Sequence, residues 1–140
     1  MAHGQRQGDH TVTLNVQEVD REIFDHLERV LRWLCANASR QLGLPYKVEA
    51  MWDGEMGSKV NCKLYFERYL LQEISEPVVL GIDELNRIFG YRAIVQDFLP
   101  MLRVWHERSK DSVVWQKLRL ILVHATDLYV PLNLNQSPFN

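Results

Sequence analysis

The 140-residue sequence holds no uninterrupted run of about 18 apolar residues, the length a membrane-spanning helix needs, so no transmembrane segment is expected. Residues 1–8 lack the apolar stretch of a secretory signal peptide. Cysteine is scarce. Cys35 and Cys62 lie far apart with no CxxC around either, which predicts two reduced, buried thiols in a cytoplasmic protein. The sequon Asn37-Ala38-Ser39 is then a chance match, because glycosylation needs a secretory route. No excess of either charge is present: 16 Lys and Arg stand against 18 Asp and Glu, giving a net charge of −2. That balance argues against a chain built to grip nucleic acid or an anionic membrane. His3, His10, His26, His106 and His124 share no metal-ligand spacing with one another or with the cysteines, and no GxSxG elbow occurs. Repeats and low-complexity tracts are also missing. What remains is ordinary globular material, 46% hydrophobic and 24% charged, of the size of one domain or most of one.

Along the chain, residues 1–10 read as a loose start. Val12 to Val16 alternate at period two and read as a short strand. Asp20 opens a predicted helix running to about Leu42, with Ile23, Leu27, Val30, Leu31, Leu34, Ala38 and Leu42 on one face. Arg29, Arg32 and Arg40 lie on the other, which reads as a solvated face rather than a nucleic-acid groove. Gly43 stops this helix. Residues 43–58 form a long connection with room for one helical turn, and Ser58 caps a second helix from about Lys59 to Ile74. Val78-Val79-Leu80-Gly81-Ile82, bounded by Pro77 and Asp83, reads as a buried strand of a parallel sheet. A short helix from Glu84 to Phe89 follows. A longer one runs from Tyr91 to about Ser109, which Pro100 should kink or split. Leu118 to Val123 is the third strand, and the tail after Asp127 shows no clear periodicity. Trp33, Trp52, Trp105 and Trp115 are expected to pack in the core. Strands separated by helices predict a parallel α/β sheet, here narrow, with edges that would accept neighbours.

The segment that can carry chemistry is Val78 to Glu84, a hydrophobic strand ending in two acids. A buried strand holds its C-terminal end rigidly, and open α/β sheets bind ligands outside the carboxyl ends of their strands. In nucleoside triphosphatases this is the Walker B arrangement. The first acid holds Mg²⁺ through water against phosphate oxygens, and the second orients or deprotonates an attacking water. The alternative is structural: Asp83 caps the following short helix and Glu84 sits in its first turn.

From Phe24 to Asn140 the sequence resembles the AAA-like ATPase domains common in cyanobacteria, often fused to WD-repeat propellers or signalling domains. The resemblance rests on Leu31-Arg32-Trp33-Leu34-Cys35, Trp52-Asp53, Gly57-Ser58-Lys59, Tyr65-Phe66-Glu67, Asp83-Glu84, Asp97-Phe98-Leu99 and Leu102-Arg103-Val104-Trp105-His106-Glu107. Trp115-Gln116-Lys117-Leu118-Arg119-Leu120 and Asn135-Gln136-Ser137-Pro138-Phe139-Asn140 are its most distinctive parts. It implies a three-layer αβα core of the P-loop NTPase type, with a short parallel sheet of about three strands. It places Asp83 on Mg²⁺ and makes Glu84 the catalytic acid. His124 and Thr126 fall at the sensor position that reads the γ-phosphate; for His124 a polar end-cap role stays open.

The departures from that pattern set the functional expectation. The sequence contains no GxxxxGK[ST], the motif whose backbone N–H groups cradle phosphates and whose Lys reaches the β and γ oxygens. The chain therefore reads as a single incomplete core, 1–140, beginning after that motif. Asn86 stands where a second acid is usual, and Ala125 where a hydroxyl residue is usual. Losing several charge-assisted hydrogen bonds, each worth about 1.5–3 kcal/mol, removes most nucleotide affinity. The expectation is a non-hydrolysing structural or regulatory interaction module with no cofactor of its own. The alternative is a subunit that binds Mg-ATP once a partner chain completes its site. Arg103, Arg108 and Arg119 could each serve as an arginine finger. Association as a homo- or hetero-oligomer would use the exposed sheet edges, without membrane or nucleic acid.

Overall fold

The computed structural model describes residues 10–123; the loose start and irregular tail expected outside this range are not part of it, apart from His10. Three strands form one parallel sheet in the order β1 (His10–Asn15), β2 (Val78–Asp83), β3 (Leu118–Leu122). β2 is central, paired from His10↔Val78 to Asn15↔Asp83 on one side and from Val78↔Leu118 to Ile82↔Leu122 on the other. The fold is thus the expected mixed α/β class, with helices flanking a three-stranded parallel sheet. β1 begins two residues before the alternation predicted and ends at Asn15. There the Asn15 Oδ1 accepts the Gln17 N–H at 2.9 Å and turns the chain into a 3-10 turn, Val16–Glu18.

The two faces of the sheet differ. Val12, Leu14, Val78, Leu80, Ile82 and Leu118 are buried on one face. On the other, Val79 and Gly81 are half-buried, and Thr13, Arg119 and Ile121 are exposed, Ile121 by 53%. The two outer edges differ as well. On β1, the Gln41 side chain mimics a neighbouring strand: its Oε1 accepts the Thr13 N–H at 2.8 Å and its Nε2 donates to the Thr13 carbonyl at 2.9 Å. On β3, Val78 N–H bonds the Lys117 carbonyl and Val123 N–H bonds the Ile82 carbonyl. Odd-numbered backbone groups therefore face β2, and those of Leu118, Leu120 and Leu122 point to the outer edge, which no other described strand pairs.

The helices depart from the sequence reading in instructive ways. The helix expected from Asp20 divides into a 3-10 turn, Arg21–Asp25, and helix α1 (Leu27–Gln41), separated by an extended His26. The break lets Phe24 turn inward and stack on Tyr91 at 4.9 Å. α1 ends as predicted at Gly43, whose φ of +73° closes a Schellman turn with Leu44 N–H to the Ser39 carbonyl and Gly43 N–H to the Arg40 carbonyl. The single turn in the following connection is α2 (Val48–Met51). Ser58 does not cap the next helix. It is the first residue of α3 (Ser58–Tyr65), with Gly57 at the cap. Buried Asn61 takes over the organising role, donating to the carbonyls of Asp53 and Gly57 and accepting the Asp53 N–H. α3 passes through a π turn, Phe66–Leu70, into α4 (Leu71–Glu73). Pro100 does not split α5 (Arg92–Arg108), which runs through it unbroken. A short helix not anticipated, α6 (Val113–Gln116), is capped by the Ser112 hydroxyl, which accepts the Trp115 N–H at 3.2 Å.

The core lies between the sheet and α1, α3 and α5. Cys35 and Cys62 are both buried and free, their Sγ atoms 3.6 Å apart, and burial pushes the Cys35 thiol up. Trp105 and Trp115 are fully enclosed, whereas Trp33 and Trp52 are only half-buried. Trp105 sits between Phe66 at 4.8 Å and Trp115 at 5.1 Å, and the Trp115 Nε1–H donates to Glu67 at 2.8 Å. This stack joins the π turn, α5 and α6, elements on either side of β2 in sequence. Trp105→Ala should lower unfolding stability by about 3–5 kcal/mol, read as a fall in urea midpoint at unchanged m-value.

Candidate functional site

The two acids lie where the sequence placed them, at the carboxyl end of the central strand. Asp83 is the last residue of β2 and Glu84 the first beyond it. Their position is fixed from three sides. Asn15 pairs with Asp83 across β1, the Val16–Glu18 turn packs against the 3-10 turn Leu85–Ile88, and the end of β3 is tied to both flanks of the acids. That last tie is double: Val123 N–H donates to the Ile82 carbonyl and Leu85 N–H to the Val123 carbonyl, each at 2.9 Å. Buried Leu85 and Ile88 anchor the far side of the loop.

Glu84 is the one non-glycine residue among those described with positive φ, at φ 58° and ψ 36°. A left-handed glutamate is uncommon, and such outliers concentrate where surrounding structure over-determines the backbone, functional sites included. Here the enclosing hydrogen bonds supply that determination. Asp83 does not cap the following turn in the manner the structural alternative predicted. Its Oδ1 accepts the N–H of the adjacent Glu84 at 2.8 Å, while Glu84 itself occupies the cap position without a side-chain cap bond. The Glu84 Oε1 faces the Arg87 Nε at 3.4 Å, three residues on.

This donor set does not make a Mg²⁺ site by itself. The ion needs near-octahedral oxygen coordination. One Asp83 oxygen already holds a backbone N–H, and the Glu84 carboxylate shares its charge with Arg87. No group of three or more His, Cys, Asp and Glu side chains capable of holding a metal occurs among the described residues. Phosphate oxygens would have to complete any such coordination.

His124 and Thr126, the sensor-like pair, lie outside the described residues, as does Ala125. Val123, which precedes them, is held against the acid loop by its two backbone bonds. Of the three arginines considered as fingers, Arg103 pairs with Glu107 at 3.3 Å and Arg119 lies exposed on β3 in register with Val79; Arg108 ends α5. None lies in the acid loop. The arginine that does is Arg87, which sequence reasoning passed over; its spacing of three from Glu84 was the available signal. Asn15 was missed too, because only the parallel register sets it beside Asp83. On α1, Arg32 bonds Glu28 and Glu49 and covers the Trp52 ring at 5.4 Å, which neutralises part of the basic face. A cavity of about 740 Å³ beside it is lined by Arg29, Trp33, Tyr46 and both of those glutamates.

The family model for an AAA-like domain matches residues 1–140. The chain belongs to that family. No curated protein and no solved structure gives a match. For an AAA-like domain the strand-end acids are the natural focus, and their geometry can be probed directly. Glu84→Val should lower stability by about 1–2 kcal/mol, because a β-branched residue resists the left-handed conformation, whereas Glu84→Asn should stay within about 1 kcal/mol of the parent. Urea unfolding of the two variants checks this.

Proposed function

We propose that this AAA-like chain is a non-hydrolysing interaction module built around a strand-end acid pair. The observation that supports the reading is the state of the acids. Asp83 accepts a hydrogen bond from its own loop and Glu84 pairs with Arg87, while the sequence contains no GxxxxGK[ST] to bring an anion to them. Its contacts with partners run through the β3 side of the sheet, since on the β1 edge Gln41 already holds both backbone groups of Thr13.

A second reading, in which another chain completes a Mg-ATP site, draws on the outer β3 edge, unpaired among the described residues. In that case Asp83 would face the metal–phosphate group and Glu84 a water. Arg87 would then have to release Glu84.

The two readings diverge in solution. A ligand at one hundred times its dissociation constant stabilises the folded state by about 2.7 kcal/mol, several degrees in melting temperature for a domain of this size. We expect no such rise with millimolar Mg-ATP, and no phosphate release at any protein concentration. A saturable rise at micromolar nucleotide would contradict the first reading. Turnover that climbs faster than linearly with protein concentration and vanishes in Glu84→Gln would establish the second.

A further inference from the structure

α3 and α5 leave a groove between them, lined by none of the acid-loop residues. Its floor is apolar: Val60 from α3, and Pro100, Met101, Val104 and Trp105 from α5. Val104 is 46% exposed, unusual for a valine in mid-helix, and the α5 residues fall at helical steps that make one stripe about two turns long. The rim is basic. Lys59 and Lys63 stand on the α3 side and Arg108 at the end of α5, and no carboxylate lines the groove. Lys59 is engaged by Asp97 at 3.0 Å, but Lys63 and Arg108 have no ion-pair partner among the described residues. The protein as a whole carries a net charge of −2, so this local surplus runs against its average.

The volume narrows the choice of ligand. At about 260 Å³ the groove is smaller than the roughly 300–1,000 Å³ of pockets that enclose small molecules, but it accepts one or two apolar side chains from a segment lying across it. Exposed Val104 and Pro100 and half-buried Val60 meet such anchors, with Met101 and Trp105 buried beneath them. Unpaired cations on both walls select a ligand with carboxylates flanking those anchors. We propose that the α3–α5 groove docks an acidic amphipathic segment of a partner protein, with leucine-like anchors on the apolar floor and carboxylates on Lys63 and Arg108. This inference is independent of the nucleotide reading, since no groove residue touches Asp83 or Glu84 in any bond described above.

The test uses the 140-residue chain and a fluorescein-labelled helical peptide of about twelve residues, two leucines four apart among glutamates. Fluorescence anisotropy should rise saturably and weaken with added salt. The double variant Lys63→Glu/Arg108→Glu should raise Kd by at least about tenfold, and Val104→Ser by about three- to tenfold. Both changes sit on the surface, and circular dichroism verifies that each variant folds. The peptide with its leucines replaced by serine should bind more weakly than the parent. No saturable rise, equal binding of a lysine-for-glutamate peptide, or Kd values unchanged in both variants would overturn the proposal. So would tighter binding of an oligouridine RNA, or sedimentation showing a dimer of this chain that Val104→Ser dissolves.

Discussion

Everything at the acid loop depends on β2 being hydrogen-bonded along both edges. A strand held on two sides has little freedom at its tip, so Asp83 and Glu84 occupy fixed positions although neither is buried. The bonds linking Ile82, Val123 and Leu85 extend that restraint past the last paired residue. They also hold Glu84 in its left-handed turn, which an unconstrained glutamate would leave. Rigidity here comes from backbone geometry, with side-chain pairing adding little, since the Glu84–Arg87 contact is partly exposed.

The two outer edges of the sheet differ among the described residues. Gln41 gives Thr13 both a donor and an acceptor, so the β1 edge is closed at that point. β3 turns the backbone groups of three leucines outward, and Ile121 and Val123 expose apolar surface near them. Parallel strands are ordinarily covered on both faces, because their residues are apolar on both. Among the described residues one face of this sheet is only partly covered and no strand pairs with the outer edge of β3. The basic groove between α3 and α5 is a separate surface, built from side chains that the sheet does not use.

Much of this was legible in the sequence. The uncharged run Val78–Ile82, bounded by Pro77 and two acids, identified the central strand and the loop after it, since little else produces that pattern. Gly43 marked the end of α1 because only a residue tolerant of positive φ closes a Schellman turn. Less legible were features decided by tertiary contact. Phe24 broke an otherwise periodic helix by stacking on Tyr91, and nothing local to residues 20–26 announces that. The capping duty assigned to Ser58 passed to Gly57 and Asn61, whose amide bonds the loop before it. At the acid loop, Asn15 was invisible because it needs the strand register, whereas Arg87 carried a signal, its spacing of three from Glu84, that was passed over.

Native-state amide hydrogen exchange tests the central claim most directly. The account predicts that the Leu85 and Val123 amides are protected to nearly the level of Leu80, because the clasp and the central strand open together, while the Leu120 amide, which points away from β2, exchanges orders of magnitude faster. A freely exchanging Leu85, or a Leu120 as protected as Leu80, would contradict it.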